Sequence, residues 1–151
     1  MQTRSLCWLV CAIMAIAWSG IPKSTVAAES CRINVATILA ARDDTTIDPE
    51  LKSHIGELQS VFSYTSYRLL GNAHLSLQAG KSGALSLPGD HELNLTLQEI
   101  SGDRASIAMR MIKQDRSVFQ TRIQLLNRGN LFVGGPEYLN GNLIFKISSA
   151  F

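Results

Sequence analysis

Residues 91–125 read HELNLTLQEISGDRASIAMRMIKQDRSVFQTRIQL, and the apolar side chains fall mainly on odd-numbered positions. Such alternation is typical of β-strands that bury one face. Polar turn signals at Ser101-Gly102-Asp103 and Asp115-Arg116-Ser117 divide the stretch into strands. The stretch therefore predicts an antiparallel meander with one apolar face. The residues of that face are Leu93, Leu95, Leu97, Ile107, Met109, Met111, Phe119, Ile123 and Leu125.

The parity of the apolar residues stays constant across successive hairpins, which indicates loops with an odd number of residues. We therefore predict three-residue loops at these two turns and at Pro88-Gly89-Asp90. Each loop sets the register of its hairpin. The predicted cross-strand pairs are Leu85–Leu93, Leu97–Ile107, Leu95–Met109, Ile107–Leu125 and Met109–Ile123.

The same alternation extends to both sides of this stretch. Odd positions over 33–39 predict the first strand, and odd positions over 67–77 and 85–87 continue the apolar face, with Tyr67 in the core by parity. Towards the C-terminus we expect a turn at 127–130, a short strand over 131–133 and a loop over 134–141. Alternation over 143–147 predicts a final strand.

One helix is predicted, over residues 49–61. Asp48 is a good N-cap residue, Pro49 suits the first helical position, and Glu50 complements the positive end of the helix dipole. Leu51, Ile55, Leu58 and Phe62 recur at helical spacing and form one apolar face.

These elements predict a mainly β fold of the α+β class. We expect a seven- to eight-stranded antiparallel meander that forms a curled sheet or a two-sheet sandwich. The amphipathic helix near 49–61 covers one face or one open end. Residues 29–151 have the length of one ordinary domain, and no repeat or linker divides them.

The first 28 residues have the order of features found in secretory signal peptides: a cation at Arg4, an apolar stretch over 6–18, and small residues at Val26-Ala27-Ala28. The apolar stretch is shorter than the roughly 20 residues that a membrane-spanning helix needs. We therefore predict an exported protein, in the periplasm or outside the cell, that begins near Glu29 and has no transmembrane span after cleavage.

Removal of the signal peptide changes both the charge and the cysteine content. Residues 29–151 carry 12 cations and 12 acids, so the processed chain is formally neutral and lacks the positive charge of nucleic-acid-binding proteins. Cys7 and Cys11 leave with the signal peptide, and Cys31 remains. Cys31 has an odd number, like the apolar residues that follow it in the first strand, and this favours a buried thiol. The alternatives are an intermolecular disulfide and lipidation.

Arginines are concentrated in one predicted hairpin. In the predicted register Arg110 faces Arg122 and Arg104 faces Arg128 on the polar side. Like charges in direct opposition are unfavourable without a partner. This basic hairpin is therefore a candidate site for an acidic protein segment, a lipid head group or a polysaccharide, and the alternative is a set of solvated surface arginines. Its candidate residues are Arg104, Arg110, Arg116, Arg122 and Arg128.

Tyrosines mark two further candidate recognition loops. Tyr64 lies at the corner between the helix and a strand, and Tyr138 lies in the predicted Gly-Pro loop. Tyrosine combines a large contact area with a polar tip and is therefore common in recognition surfaces. The alternative is that these segments serve only to turn the chain.

No metal site, cofactor or catalytic residue is predicted. Asp43, Asp44, Asp48 and Glu50 are close in sequence, but their spacing matches no calcium loop. The chain has no nucleophile elbow, zinc motif or phosphate-binding glycine loop.

The sequence therefore favours a non-enzymatic binding or assembly module that acts on a protein or envelope component through the basic hairpin, a sheet edge or the tyrosine loops. The first alternative is a small-molecule or carbohydrate-handling protein, such as a hydrolase, with a pocket between helix and sheet. That alternative requires His74, His91, Asp90 and Cys31 to converge. A further alternative is a self-assembling structural subunit, a homo-oligomer.

Overall fold

The computed structural model describes residues 29–151, and the predicted signal peptide lies outside the described residues. Eight strands and one helical segment make up the described chain, which confirms the prediction of a β-rich α+β fold. The strands are β1 (Ser30–Ala41), β2 (Ser66–Gln78), β3 (Ser82–Leu87), β4 (His91–Ser101), β5 (Arg104–Lys113), β6 (Arg116–Leu126), β7 (Asn130–Tyr138) and β8 (Gly141–Ala150).

The strands form two four-stranded antiparallel sheets. The first sheet has the order β2-β1-β8-β7 and the second has the order β3-β4-β5-β6. Each strand follows its predecessor in an up-and-down path, and β1 pairs with β8, so the last strand returns to the first. The chain passes from one sheet to the other between β2 and β3 and between β6 and β7. Of the two predicted forms, the structure is therefore the sandwich.

The core between the sheets consists of the odd-numbered side chains that the alternation predicts. Leu93, Leu95 and Leu97 of β4 are fully buried against Ile107 and Met109 of β5. The inner face of the first sheet completes this core. Its contributors are Cys31, Ile33, Val35, Leu77, Leu143, Phe145 and Ile147.

The prediction that all odd positions share one face is wrong for the start of β2. Tyr67 and Leu69 lie on the outer face of the first sheet, whereas Leu75 and Leu77 lie on the inner face. A β-bulge at Leu70 causes the change, because Ile38 pairs with Leu69 while the neighbouring Thr37 pairs with Gly71. A bulge inserts one residue and so transfers the following residues to the other face.

The helical segment has the predicted bounds but two kinds of helix. Pro49–His54 is a 3₁₀ helix and Ile55–Val61 is α1. Leu51 and Leu58 are buried in a second apolar cluster on the outer face of the first sheet. Because this cluster covers the second half of β1, both faces are buried there, and β1 is not the strand with one buried face that its alternation predicts. The other members of this cluster are Ile38, Ala40, Tyr67 and Ile144.

Asp48 does not cap the helix through its side chain, contrary to the prediction. Its Oδ2 atom accepts a hydrogen bond from the backbone N–H of Leu69 at 2.7 Å. The carboxylate therefore links the loop before the helix to β2.

The predicted registers are correct for the hairpins β3–β4 and β4–β5 and wrong for β5–β6. Ile107 lies opposite Ile123, and Met109 lies opposite Thr121. The turn contains two residues, Gln114 and Asp115, with φ angles of 47° and 60°. This turn and a bulge in β6 together produce the observed β5–β6 register.

The β4–β5 turn is also shorter than predicted, with Gly102 and Asp103 between the strands, but a bulge in β4 restores the predicted pairs.

The segment 134–141 is mostly strand rather than the predicted loop. β7 continues through Gly134 and Gly135 to Tyr138 and leaves Leu139 and Asn140 between it and β8. A Cβ atom at Gly135 would lie 2.6 Å from the ring of Phe145. Glycine is required here for close approach of the backbone to an aromatic side chain rather than for a turn.

Candidate binding surface on the second sheet

The outer face of the second sheet is a continuous polar surface. Two rows of cross-strand neighbours run over its four strands, and antiparallel pairing brings these side chains together. The rows are Ser82–Thr96–Ala108–Arg122 and Ala84–Asn94–Arg110–Gln120.

A hollow of about 310 Å³ lies over Ala108 at the centre of this face. The small methyl group of Ala108 forms part of its floor, and longer polar side chains surround it. We call this feature the Ala108 hollow. Its polar lining comes from Ser82, Asn94, Thr96, Arg110 and Gln120.

Arg110 and Arg122 lie on diagonally adjacent positions of β5 and β6, because Arg110 pairs with Gln120 and Ala108 pairs with Arg122. Diagonal neighbours in an antiparallel sheet have Cα atoms about 7–8 Å apart. Both guanidinium groups can therefore contact one anionic group bound above Ala108. Repulsion between two exposed charges is below about 1 kcal/mol at separations beyond 4 Å in water, so the pair is tolerated without a ligand.

No carboxylate neutralises these two arginines within the described residues. The ion pairs in this part of the chain are Arg68–Asp44 and Arg104–Asp103. Glu92 lies on the same face, but its Oε1 atom accepts a hydrogen bond from Asn94 at 2.8 Å. The charges of Arg110 and Arg122 are therefore exposed to solvent.

The predicted opposition of arginines is wrong. Arg110 faces Gln120 and Arg104 faces Leu126. Arg116 faces Lys113 across the β5–β6 turn, and Arg128 lies in the turn before β7 with a φ of 60°. The shorter turn and the bulge in β6 explain the difference. Of the five predicted arginines, Arg110 lines the Ala108 hollow and Arg122 pairs with Ala108 from the neighbouring strand.

The sequence analysis did not assign Asn94, Thr96 or Gln120 to a binding site, although they contribute amide and hydroxyl groups to the hollow. Each occupies an even position on its strand, opposite in parity to the core residues. That parity is the signal that could have assigned them to the same face as Arg110.

Tyr64 and Tyr138 lie in different layers of the molecule. Tyr64 packs with the helical cluster, and its hydroxyl donates a hydrogen bond to Asn142 at 2.8 Å. The Arg42 guanidinium lies 5.4 Å from the centre of the Tyr64 ring. Tyr138 packs against the core between the sheets and contacts Gly89. Tyr138 therefore lies apart from Tyr64, although Tyr64 shares a hollow of about 430 Å³ with Glu137 and Leu139 of the other candidate loop.

The residues required for the hydrolase alternative are dispersed. Cys31 lies at the start of β1 in the core between the sheets, where burial raises the pKa of its thiol. His91 lies at the start of β4, near the opposite end of the sandwich, and its Nδ1 is 3.0 Å from the carbonyl oxygen of Pro88. His74 pairs with Asn34 on the outer face of the first sheet. Cys31 therefore has neither histidine beside it.

The acidic residues before the helix have separate hydrogen-bonding partners. The backbone N–H of Thr46 and then the side chain of Arg68 hold the pKa of Asp44 below its usual range. No group of three or more metal-ligating side chains is found in residues 29–151. The partners are Asn140 for Asp43, Arg68 and the Thr46 N–H for Asp44, and the Leu69 N–H for Asp48.

None of the helices described within 29–151 has both the length and the apolar character required to cross a membrane. The chain matches no protein-family model, no curated protein and no solved structure. The functional argument therefore depends on the geometry of the described residues.

Proposed function

We propose that the protein is an exported, non-enzymatic binding module that holds an anionic polysaccharide of the cell envelope on the outer face of the second sheet. The features of residues 1–28 support export. The observation that carries the proposal is the diagonal pair Arg110 and Arg122. Arg110 lines the Ala108 hollow, Arg122 pairs with Ala108, and neither has a carboxylate partner in the described chain.

The chemistry of the face favours a polysaccharide over a lipid surface or an acidic protein segment. Thr96, Asn94 and Gln120 offer hydroxyl and amide groups that pair with sugar hydroxyls, while the arginines pair with carboxylate or sulfate groups. The large exposed apolar side chains of β6 are Val118 and Leu126, near its two ends rather than beside the hollow. Ile112 also lines the hollow but is half-buried, so the centre of the face offers no large exposed apolar side chain to a membrane or a protein partner.

The attraction between this face and an anionic polysaccharide comes from the distribution of charge, not from the net charge of the protein. Residues 29–151 carry equal numbers of cations and acids, 12 of each. Attraction to a polyanion therefore comes from the local concentration of arginines on β5 and β6. Salt screens interactions between exposed charges, so binding should weaken as ionic strength rises.

The proposal is tested by retention of the purified protein on a polygalacturonate resin in a salt gradient. We expect the wild type to be retained and the double variant Arg110→Gln/Arg122→Gln to bind at least about tenfold more weakly. One lost contact of about 1.4 kcal/mol changes the binding constant by that factor.

The matched control is Lys52→Gln/Lys81→Gln, which removes two exposed cations elsewhere. It should elute with the wild type. Equal elution of both double variants, or retention that does not respond to salt, would contradict the proposal. Stronger binding to anionic lipid vesicles than to the resin would assign the face to a membrane instead.

A further inference from the structure

The helical segment covers only part of the outer face of the first sheet. Its apolar cluster lies over Ile38 and Ala40, in the second half of β1. The first half of β1 presents Arg32 and Asn34 on the same outer face, beyond the cluster. This part of the face is open and carries polar side chains.

Two hollows lie over this open part and share Asn34 and Ser148. The larger hollow, of about 500 Å³, extends over Arg32, His74 and Ser76. The smaller hollow, of about 210 Å³, reaches Lys146 and the start of the 3₁₀ helix. Together they form a trough that we call the Asn34 groove. Its rows of cross-strand neighbours are Ser76–Arg32–Ala150 and His74–Asn34–Ser148–Asn130.

Asn34 lies where the two hollows meet, and its side-chain oxygen is buried without a hydrogen-bond partner. It is the one such side-chain atom among the described residues. Leaving a buried polar atom unpaired costs about 1–3 kcal/mol, so a turn of the Asn34 amide that presents this oxygen to a donor in the groove is favourable.

Two cations flank Asn34 without a carboxylate partner in residues 29–151. Arg32 is two residues away on the same strand and face, which corresponds to about 7 Å. Lys146 lies in the smaller hollow, where its Nζ is 2.5 Å from Nε2 of His54. Glu50 is the acid that lines the groove, at the side of the helical segment.

We propose that the Asn34 groove binds a sugar acid, one or two rings long. The ligand carboxylate pairs with Arg32, and a ligand hydroxyl donates to the Asn34 oxygen after the Asn34 amide turns towards the groove. Ser148, Ser76 and His74 supply further hydrogen-bonding groups on the flanking strands. The larger hollow lies within the volume range of ordinary small-ligand sites. This second site lies on the opposite sheet from the Ala108 hollow and does not depend on it.

The experiment is titration of the isotopically labelled protein with digalacturonate, followed by backbone NMR shifts, with cellobiose as the neutral comparison. We expect one set of shifts on β1, β2 and β8 that persists in Arg110→Gln/Arg122→Gln and is separate from any shifts on β4, β5 and β6. Cellobiose should bind more weakly. Arg32→Gln should remove the preference for the acidic sugar. Asn34→Leu should weaken digalacturonate binding by about tenfold or more, as expected for the loss of one buried hydrogen bond of about 1.4 kcal/mol.

The melting temperature of Asn34→Leu distinguishes a binding role of Asn34 from a structural role. Replacement of an unpaired polar group by an apolar group of similar size should leave the melting temperature unchanged or raise it. Gln59→Leu on the exposed side of α1 is the control for a new leucine and should retain binding.

Unchanged digalacturonate affinity in Asn34→Leu would overturn the inference and would show that solvent satisfies the Asn34 oxygen. Loss of digalacturonate binding in Arg110→Gln/Arg122→Gln would overturn it as well, because the ligand would then lie on the second sheet. Failure of the resin experiment alone would affect only the function proposed for the Ala108 hollow.

Discussion

Cys31 is the residue whose chemistry depends most on its surroundings. Its side chain has 0% exposure in the core between the sheets. Burial raises the pKa of the thiol, and a hydrogen bond with the backbone of Ala150 lowers the pKa to a smaller extent. A higher pKa means less of the reactive thiolate at neutral pH. The structure therefore favours the buried thiol over an intermolecular disulfide.

We predict that a thiol reagent such as DTNB modifies the folded protein at least about a hundredfold more slowly than the protein in guanidinium, because modification requires local opening. The rate should rise with pH, because the thiolate fraction rises. The control is Ser60→Cys in a Cys31→Ala background, which places a thiol on the exposed side of α1 and should react quickly. Fast modification of Cys31, or a disulfide-linked dimer on a non-reducing gel, would contradict this prediction.

At the scale of elements, α1 is held by packing rather than by capping. It has seven residues and no side-chain hydrogen bond at its N-cap. Isolated helices of this length are not stable in water. Its stability comes from Leu58, which is fully buried against the outer face of the first sheet.

We predict that Leu58→Ala destabilises the protein by about 2–5 kcal/mol, the usual cost of truncating a buried leucine. Urea unfolding measured by circular dichroism would give the value. Val61→Ala is the control on the same helix, because Val61 is 64% exposed, and it should change stability by less than about 0.5 kcal/mol. Equal effects of the two substitutions would show that α1 does not pack as described.

At the scale of the whole molecule, the two-sheet arrangement creates four edge strands. β1 and β8 are central in the first sheet, and β4 and β5 are central in the second. The strands β2, β3, β6 and β7 each have a neighbour on one side only within their sheets. An edge strand leaves alternate N–H groups without a partner in the sheet.

Amide hydrogen exchange measured by NMR should therefore be slowest in β1, β8, β4 and β5. In the edge strands, we expect protected and unprotected amides to alternate, because every second N–H points away from the paired neighbour. Continuous protection along both β2 and β3 would instead indicate that these two strands pair in solution and join the two sheets into one. The N–H groups that pair β2 with β1 serve as the internal reference.

The sequence predicted the fold best where the side-chain alternation is regular and the paired strands are consecutive in the chain. The β4–β5 register follows from alternation and proximity, and Leu97 lies opposite Ile107 as predicted. The β5–β6 register was missed because Gln114 and Asp115 both adopt positive φ although neither is glycine. Turn propensity does not favour such a pair, and the bulge in β6 leaves no sequence signal that alternation detects.

The candidate site was predicted in part. The concentration of Arg110 and Arg122 is visible in the sequence, and their exposure follows from parity. Their diagonal relation across Ala108 is not visible, because it depends on the β5–β6 register. The Asn34 groove was missed entirely, since β1 meets β8 only through pairing between residues at least one hundred positions apart.

The sequence by itself determined the strand content, the bounds of the helical segment and the polarity of most strand faces. These properties depend on side-chain periodicity, which is local. Tertiary structure alone decided which strands are neighbours, where bulges move side chains such as Tyr67 to the other face, and which polar atoms are buried without partners. Those outcomes depend on contacts between distant segments, and the unpaired oxygen of Asn34 exists only once β1 lies between β2 and β8.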